Sequence, residues 1–127
     1  GGITSVDQIK PLLQKTDGVM IGRAAYHTPY MLADIEKEIF GTEDVLSRQD
    51  VIEKLIPYIK DELKKGTRLN QIMRHTLGLF HGQTGASYWK RYLSENMCVR
   101  DADVKKIDHI MDKIKFNNVD TSVGQSA

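Results

Sequence analysis

Apolar residues recur along this chain at three- and four-residue spacing, interrupted by glycine and proline, and the pattern predicts a mostly helical protein. Ser5 to Gln14 reads as a short helix capped by Ser5, with Ile9, Leu12 and Leu13 on one side and Pro11 limiting its length. Asp17-Gly18-Val19-Met20-Ile21-Gly22 is a short apolar run bounded by glycines, the pattern of a strand buried on both faces of a parallel sheet. Thr28-Pro29 opens a second helix with Pro29 in its first position and Gly41 as its end. Leu32, Ile35 and Ile39 form its inner side, and Asp34, Glu36 and Glu38 lie away from them.

From Ser47 to Lys65 a longer helix carries Val51, Ile52, Leu55, Ile56, Ile59 and Leu63 on its inner stripe, with a kink expected at Pro57 and a stop at Gly66. Leu69 to Phe80 reads as another, with Leu69, Ile72, Met73, Thr76 and Phe80 inward and Gly82 to Gly85 as the break. Ala86, Trp89, Leu93 and Met97 define the next helix, where Trp89 is expected in the core. Asp101 or Asp103 opens the last, whose stripe is Val104, Ile107, Ile110, Met111 and Ile114. Residues 117–127 are polar and small, the composition of a disordered tail. Residues 1–41 thus read as helix, strand, helix, the end of an α/β arrangement, and residues 45–115 as a helical bundle.

Composition narrows the class. With 18 basic and 17 acidic side chains in 127 residues, the net charge of +1 excludes a globally basic coat protein and an acidic tail. A single cysteine excludes an internal disulfide, and no Cys/His spacing matches a zinc site, so no metal is expected. No apolar run approaches the roughly 20 residues of a membrane helix, and no signal-peptide pattern is visible. The expectation is a soluble protein of a reducing compartment. The opening Gly1-Gly2 reads as the continuation of a preceding strand, which makes the chain a piece of a longer protein.

The distribution of charge is more informative than its sum. Residues 34–62 carry nine acidic side chains, whereas residues 63–94 carry six basic ones and no carboxylate. Lys64, Lys65, Arg68, Arg74, Lys90 and Arg91 therefore create a local positive surface, interleaved with His75, His81 and Tyr88. Lys and Arg supply most sequence-independent RNA affinity, and Tyr and Arg planes accept unstacked bases. In a continuous helix Arg74 shares a face with Gly78 and His81, and Gly78 there admits either a ribose–phosphate backbone or a packed helix. Lys64 and Lys65 end a helix, where cations complement the dipole, and are left out of the site.

A second constellation lies nearer the start. Gly1-Gly2 precedes one helix, and Gly22-Arg23 follows the apolar run twenty residues later. In (β/α)8 barrels the loops after the last two strands commonly hold a phosphate at the C-terminal face. Glycine lets backbone N–H groups approach the anion, and arginine offers a permanently charged planar fork. The same residues also fit a plain turn with Arg23 in water, and spacing does not choose between the two.

These segments carry a resemblance. Gly1-Gly2-Ile3 and Asp17-Gly18-Val19-Met20-Ile21-Gly22-Arg23-Ala24-Ala25 resemble the end of the flavin barrel of tRNA-dihydrouridine synthases. Arg74-His75-Thr76-Leu77-Gly78-Leu79-Phe80-His81-Gly82 and Gly85-Ala86-Ser87-Tyr88-Trp89-Lys90-Arg91-Tyr92-Leu93-Ser94-Glu95-Asn96 are similar to helical-domain motifs of its A subgroup, which modifies uridines 20 and 20a of the tRNA D-loop. The likeness covers about residues 1–115.

The resemblance implies a fold and a set of roles. Residues 1–41 would be the last βα units of a TIM (β/α)8 barrel, residues 45–115 a helical tRNA-binding domain, and residues 116–127 a tail. Gly1, Gly2, Gly22 and Arg23 would hold the FMN phosphate, NADPH would be the reductant, and tRNA the partner of a monomeric, cytoplasmic complete enzyme. Where such sequences carry Arg-x-Trp-Arg-Arg, this one has Ser87-Tyr88-Trp89-Lys90-Arg91, so Lys90 and Arg91 keep the charge that Ser87 lacks. Arg74, Ser87, Lys90 and Arg91 are the tRNA-facing candidates. The catalytic cysteine, the flavin-contacting lysine and histidine, and the Asn before the Gly pair have no counterpart here; Cys98 matches no catalytic position. No residue of this chain is assigned a catalytic role, and alone it is expected to be inactive. Two other classes stand beside this one: a non-catalytic RNA-binding helical module, and a different flavin-barrel oxidoreductase without RNA, which leaves the acid-free segment unexplained.

Overall fold

The computed structural model describes residues 2–114, and the chain divides into two compact units, Gly1–Leu46 and Ser47–Ala127. The predicted tail, and Gly1 with it, lie outside the described residues. Helix is the only regular structure among the described residues.

The first unit contains α1 (Val6–Leu13), α2 (Arg23–His27) and α3 (Met31–Glu38). Ser5 precedes α1 in extended conformation, and the Gln8 side-chain oxygen accepts from the backbone N–H groups of Thr4, at 2.6 Å, and Ser5. Pro11 falls in the last turn and does not shorten the helix. α1 packs on α3, linked at the surface by Lys10 and Glu38 at 3.4 Å. Val6, Ile9 and Met31 are the buried side chains of this unit.

Two expectations fail here, the strand at residues 17–22 and the burial of Leu32. The apolar run at residues 17–22 forms no strand: Met20 is 76% exposed, while Val19 and Ile21 are half-buried. A strand needs a neighbour to take its backbone N–H and C=O groups, and no second extended segment among the described residues offers a ladder. The helix predicted from Thr28 to Gly41 is present as α3, and a short helix that was not predicted, α2, precedes it. Thr28, whose backbone lies outside the helical region at φ −136°, separates α2 from α3, because Pro29 disfavours a helical residue before it. Pro29 sits in the intervening turn, its carbonyl accepting from Leu32 N–H. On the inner face of α3, Ile35 and Ile39 are half-buried as expected, but Met31 is buried in place of Leu32, which is 50% exposed.

The second unit contains α4 (Arg48–Lys64), α5 (Leu69–Met73), a single 3₁₀ turn (Arg74–Thr76), α6 (Ala86–Asn96) and α7 (residues 104–114). Ser47 caps α4, accepting from Asp50 N–H at 3.1 Å while the Asp50 carboxylate accepts from Ser47 N–H. The helix runs through Pro57 to its cap at Lys65, where Gly66 takes the left-handed conformation at φ +97°. Asp103 opens α7 by accepting from Lys105 N–H, and its predicted stripe buries Ile107, Ile110 and Ile114 completely.

The predicted helix from Leu69 to Phe80 ends early. Thr76 turns its hydroxyl back onto the Met73 carbonyl at 2.7 Å, and the Thr76 carbonyl accepts both Leu79 N–H and the indole N–H of Trp89, the latter at 2.8 Å. Arg48 Nε holds the Leu79 carbonyl at 2.8 Å. Leu79 N–H bonds three residues back rather than four, and residues 77–85 run as turns. Trp89 is fully buried, its ring 4.8 Å from that of Phe80. Trp89→Phe keeps an aromatic ring against Phe80 but loses the donor and some volume. It should destabilise the second unit by roughly 1–3 kcal/mol, read from urea unfolding followed by circular dichroism; a change below about 0.5 kcal/mol would contradict that role.

Candidate functional site

In the first unit, Gly2, Gly22 and Arg23 line a single cleft of about 630 Å³, together with Thr4, His27 and Thr28. No carboxylate contributes to its lining. Arg23 is the first residue of α2, exposed and in no ion pair among the described residues. Gly2 adopts φ +78°, and a Cβ placed there would meet nothing within 4 Å. At Gly22 a Cβ would meet only the Met20 sulfur, at 3.8 Å. Tight packing therefore does not account for either glycine; both leave bare backbone beside open space, next to one guanidinium. His27, exposed at the end of α2 and edge-on to Tyr26, completes the polar wall.

In the second unit the burial of Trp89 and Leu93 orients α6. Ser87, Lys90, Arg91 and Ser94 follow the i, i+3, i+4, i+7 pattern of one face, opposite the buried pair, and all four are exposed. Lys90 and Arg91 make no ion pair among the described residues, and the Arg91 guanidinium lies 5.9 Å from the centre of the Tyr88 ring. Arg74 stands elsewhere, exposed at the start of the 3₁₀ turn with its Nε directed at His75 Nε2 at 3.3 Å. The predicted face of Arg74, Gly78 and His81 does not exist, because the helix stops at Thr76 and helical spacing no longer relates them.

Arg74 reaches the α6 side by another route. It lines a cleft of about 250 Å³ with Asn70 and Met73 of α5, Leu93 and Ser94 of α6, and Met97 beyond it. Lys65, by contrast, is paired with Asp61 at 3.2 Å. Cys98 is exposed, its carbonyl accepting from Arg68. Among the described residues no group of three or more His, Cys, Asp or Glu side chains is positioned to hold a metal ion, and no helix is long and apolar enough to cross a membrane.

The profile of the family described as Dihydrouridine synthase (Dus) matches residues 1–115, through both units. The chain belongs to the dihydrouridine synthase family. It is similar to the tRNA-dihydrouridine(20/20a) synthase of Shewanella oneidensis, 46% identical over 97% of this chain and 36% of that protein. Proteins of the same name from Vibrio cholerae and from Synechocystis are each 42% identical over 94% of this chain, and over 37% and 36% of their own lengths. The chain thus spans about a third of the length of these curated relatives.

Within this dihydrouridine synthase segment, sequence periodicity missed two features of the site. One is α2, which is too short to show a period and sets Arg23 and His27 a turn apart on the cleft. The other is Asn70, whose Oδ1 is buried and accepts no hydrogen bond among the described residues; an asparagine in a first turn carries no such signal in sequence.

Tyr92 ties α6 to α7 by donating to the Lys106 carbonyl at 3.0 Å, and its ring stacks on His109. Burial first, and the neighbouring Tyr88 second, hold its hydroxyl above the usual 10.0. With the folded value above the unfolded one, this contribution to stability is complete below about pH 10 and is lost as pH rises through the folded pKa. A spectrophotometric titration of phenolate should therefore lose a step above pH 10.0 in Tyr92→Phe; a loss confined to lower pH would contradict the shift.

Proposed function

We propose that the chain is the C-terminal part of an FMN-dependent tRNA-dihydrouridine synthase that reduces uridine to 5,6-dihydrouridine at positions 20 and 20a of the tRNA D-loop, with NADPH as reductant. The observation that carries this is the match to proteins of that name along nearly the whole chain, across both compact units. In this reading residues 1–41 belong to the end of the flavin barrel and residues 45–115 form the tRNA-binding domain. The exposure of Met20, Leu32 and Phe40 supports the first part, since apolar surface of that kind is covered in a complete barrel.

The cleft of the first unit fits a phosphate in its donor set. One guanidinium, two glycine backbones and the Thr4 and Thr28 side chains surround it without a carboxylate to repel the anion. Arg23, Gly2 and Gly22 would hold the FMN phosphate there; Gly1, the fourth residue of this reading, lies outside the described residues. The hydride for the C5–C6 bond of the base would come from FMN bound and reduced here, and the proton that completes the saturation from a cysteine outside this segment. This chain's own residues bind and orient; none of them is assigned a proton transfer.

Lys90 and Arg91 hold the tRNA backbone, with Ser87 on the same face of α6, and Arg74 adds a contact from the start of the 3₁₀ turn. A uridine inside a folded tRNA must be turned out of its stack, at a cost of a few kcal/mol. Phosphate contacts made by the helical domain offset that cost. The complete enzyme acts in the cytoplasm as a monomer.

Two measurements test the two halves. Changing Lys90 and Arg91 together to alanine should weaken tRNA binding and reduce the slope of log affinity against log salt by about 1 to 2; unchanged affinity and slope would remove them from the interface. In the complete enzyme, Arg23→Ala should lower the fraction of protein that purifies with FMN, whereas full flavin retention would contradict the phosphate role.

A further inference from the structure

The flank of α6 that meets α7 carries a row of rings. Tyr88 and Tyr92 stand one turn apart on α6, their ring centres 6.2 Å apart at an interplanar angle of 34°. His109 of α7 continues the row, stacked on Tyr92 at 5.8 Å and 26°. At the other end the Arg91 guanidinium lies 5.9 Å from the centre of the Tyr88 ring. His109 and Arg91 are exposed and the two tyrosines half-buried, so every member of the row has surface in water. The bond to the Lys106 carbonyl accounts for Tyr92. Tyr88 and His109 make no side-chain hydrogen bond among the described residues, so hydrogen bonding gives no reason for either ring.

Charge around the row is polarised. Lys90 and Arg91 border it on the α6 side, in the stretch of residues 63–94 that holds no carboxylate. Around Tyr92 and His109 the exposed Lys105 and Lys113 are offset by the exposed Glu95, Asp108 and Asp112. The cation excess therefore sits beside Tyr88, and the far end of the row offers a phosphate no net attraction.

We propose that this row is a stacking site for an unpaired nucleobase of RNA, with Tyr88 and His109 as its contact rings. The base lies against the row, and the phosphate beside it rests on Lys90 and Arg91. The proposal rests on the tRNA reading above and adds to it a contact made with a base instead of with the backbone.

The chemistry favours that occupant. Every base has a π-face, and aromatic side chains in a cationic groove bind unstacked bases through it. Folded RNA presents such bases in its loops. A guanidinium over the first ring places backbone contact and base contact within one nucleotide of each other. An uncharged ring is not repelled by the carboxylates beside His109, whereas a second phosphate is. A basic peptide would be repelled by Lys90 and Arg91, and an acidic one would leave the rings unused.

The test uses the whole chain. Binding of tRNA across a salt series and thermal unfolding are measured for three proteins. These are the wild type, Tyr88→Leu with His109→Leu, and Tyr88→Phe with His109→Phe. The wild type is also titrated with hexauridylate and with an abasic ribose–phosphate hexamer, following the His109 ring resonances. Removing both rings should weaken tRNA binding about tenfold with an unchanged salt slope, since stacking is lost and every phosphate contact is kept. The phenylalanine pair should bind as the wild type does. Hexauridylate should shift the His109 resonances, and the abasic hexamer should leave them in place. Wild-type affinity in the leucine pair, or an equal loss in both pairs, would overturn the stacking site and leave the tRNA reading standing. If Tm falls in the leucine pair, the titration decides. Shifts with hexauridylate alone uphold the site, and shifts with neither hexamer or with both overturn it. Absence of tRNA binding by the wild type would overturn the tRNA reading. Shifts with hexauridylate alone would then support the stacking site by itself, and their absence would remove both.

Discussion

The bond from the fully buried Trp89 indole to the half-buried Thr76 carbonyl, 2.8 Å long, is the constraint on which the second unit depends. It joins two segments thirteen residues apart in sequence. At one end it lands on the carbonyl of the last residue of the 3₁₀ turn that follows α5, just ahead of the loop that carries Phe80. At the other end it fixes the rotation of α6. With Trp89 and Leu93 inward, Ser87, Lys90, Arg91 and Ser94 have no choice but the opposite face. A core interaction therefore determines which charges reach solvent, and the proposed RNA face follows from packing rather than from the charged residues themselves.

The rest of the core reinforces that orientation. Arg48, at the start of α4, holds the Leu79 carbonyl, and Tyr92 holds the Lys106 carbonyl on α7, so α6 and the preceding loop are tied to helices before and after them. Apart from Val6, Ile9 and Met31, every buried apolar residue among the described ones lies in this second unit. A well-packed support of that kind lets long cationic side chains stand free at its surface. The first unit has the opposite economy: few buried residues and several exposed apolar ones, with a cation and bare glycine backbone around its cleft.

Local signals made much of the second unit legible in sequence. Ser47 and Gly66 bracket α4 because a serine cap and a left-handed glycine act over one turn and need no tertiary partner. The stripe of α7 and the burial of Trp89 likewise follow from helical period. The misreadings share a different cause. The turn after α5 carries a hydrogen bond from Trp89, thirteen positions beyond Thr76, a contact that no local pattern contains. The run at residues 17–22 has strand composition, yet a strand exists only with a neighbour. Thr28-Pro29 was legible as the entry to α3, whereas α2, five residues long, is too short to show a period. For the cleft of the first unit, the glycines and Arg23 were visible as a spacing; their convergence on one concave surface was a property of the fold.

The central claim is that the face of α6, held outward by the core, recognises a folded tRNA. The most direct test compares binding of this 127-residue chain to tRNA and to an RNA duplex of similar length, at low and at moderate salt. The account predicts a preference for the folded tRNA, with an affinity that falls steeply as salt rises. Equal binding to both RNAs, or no binding by a chain shown to be folded, would contradict it.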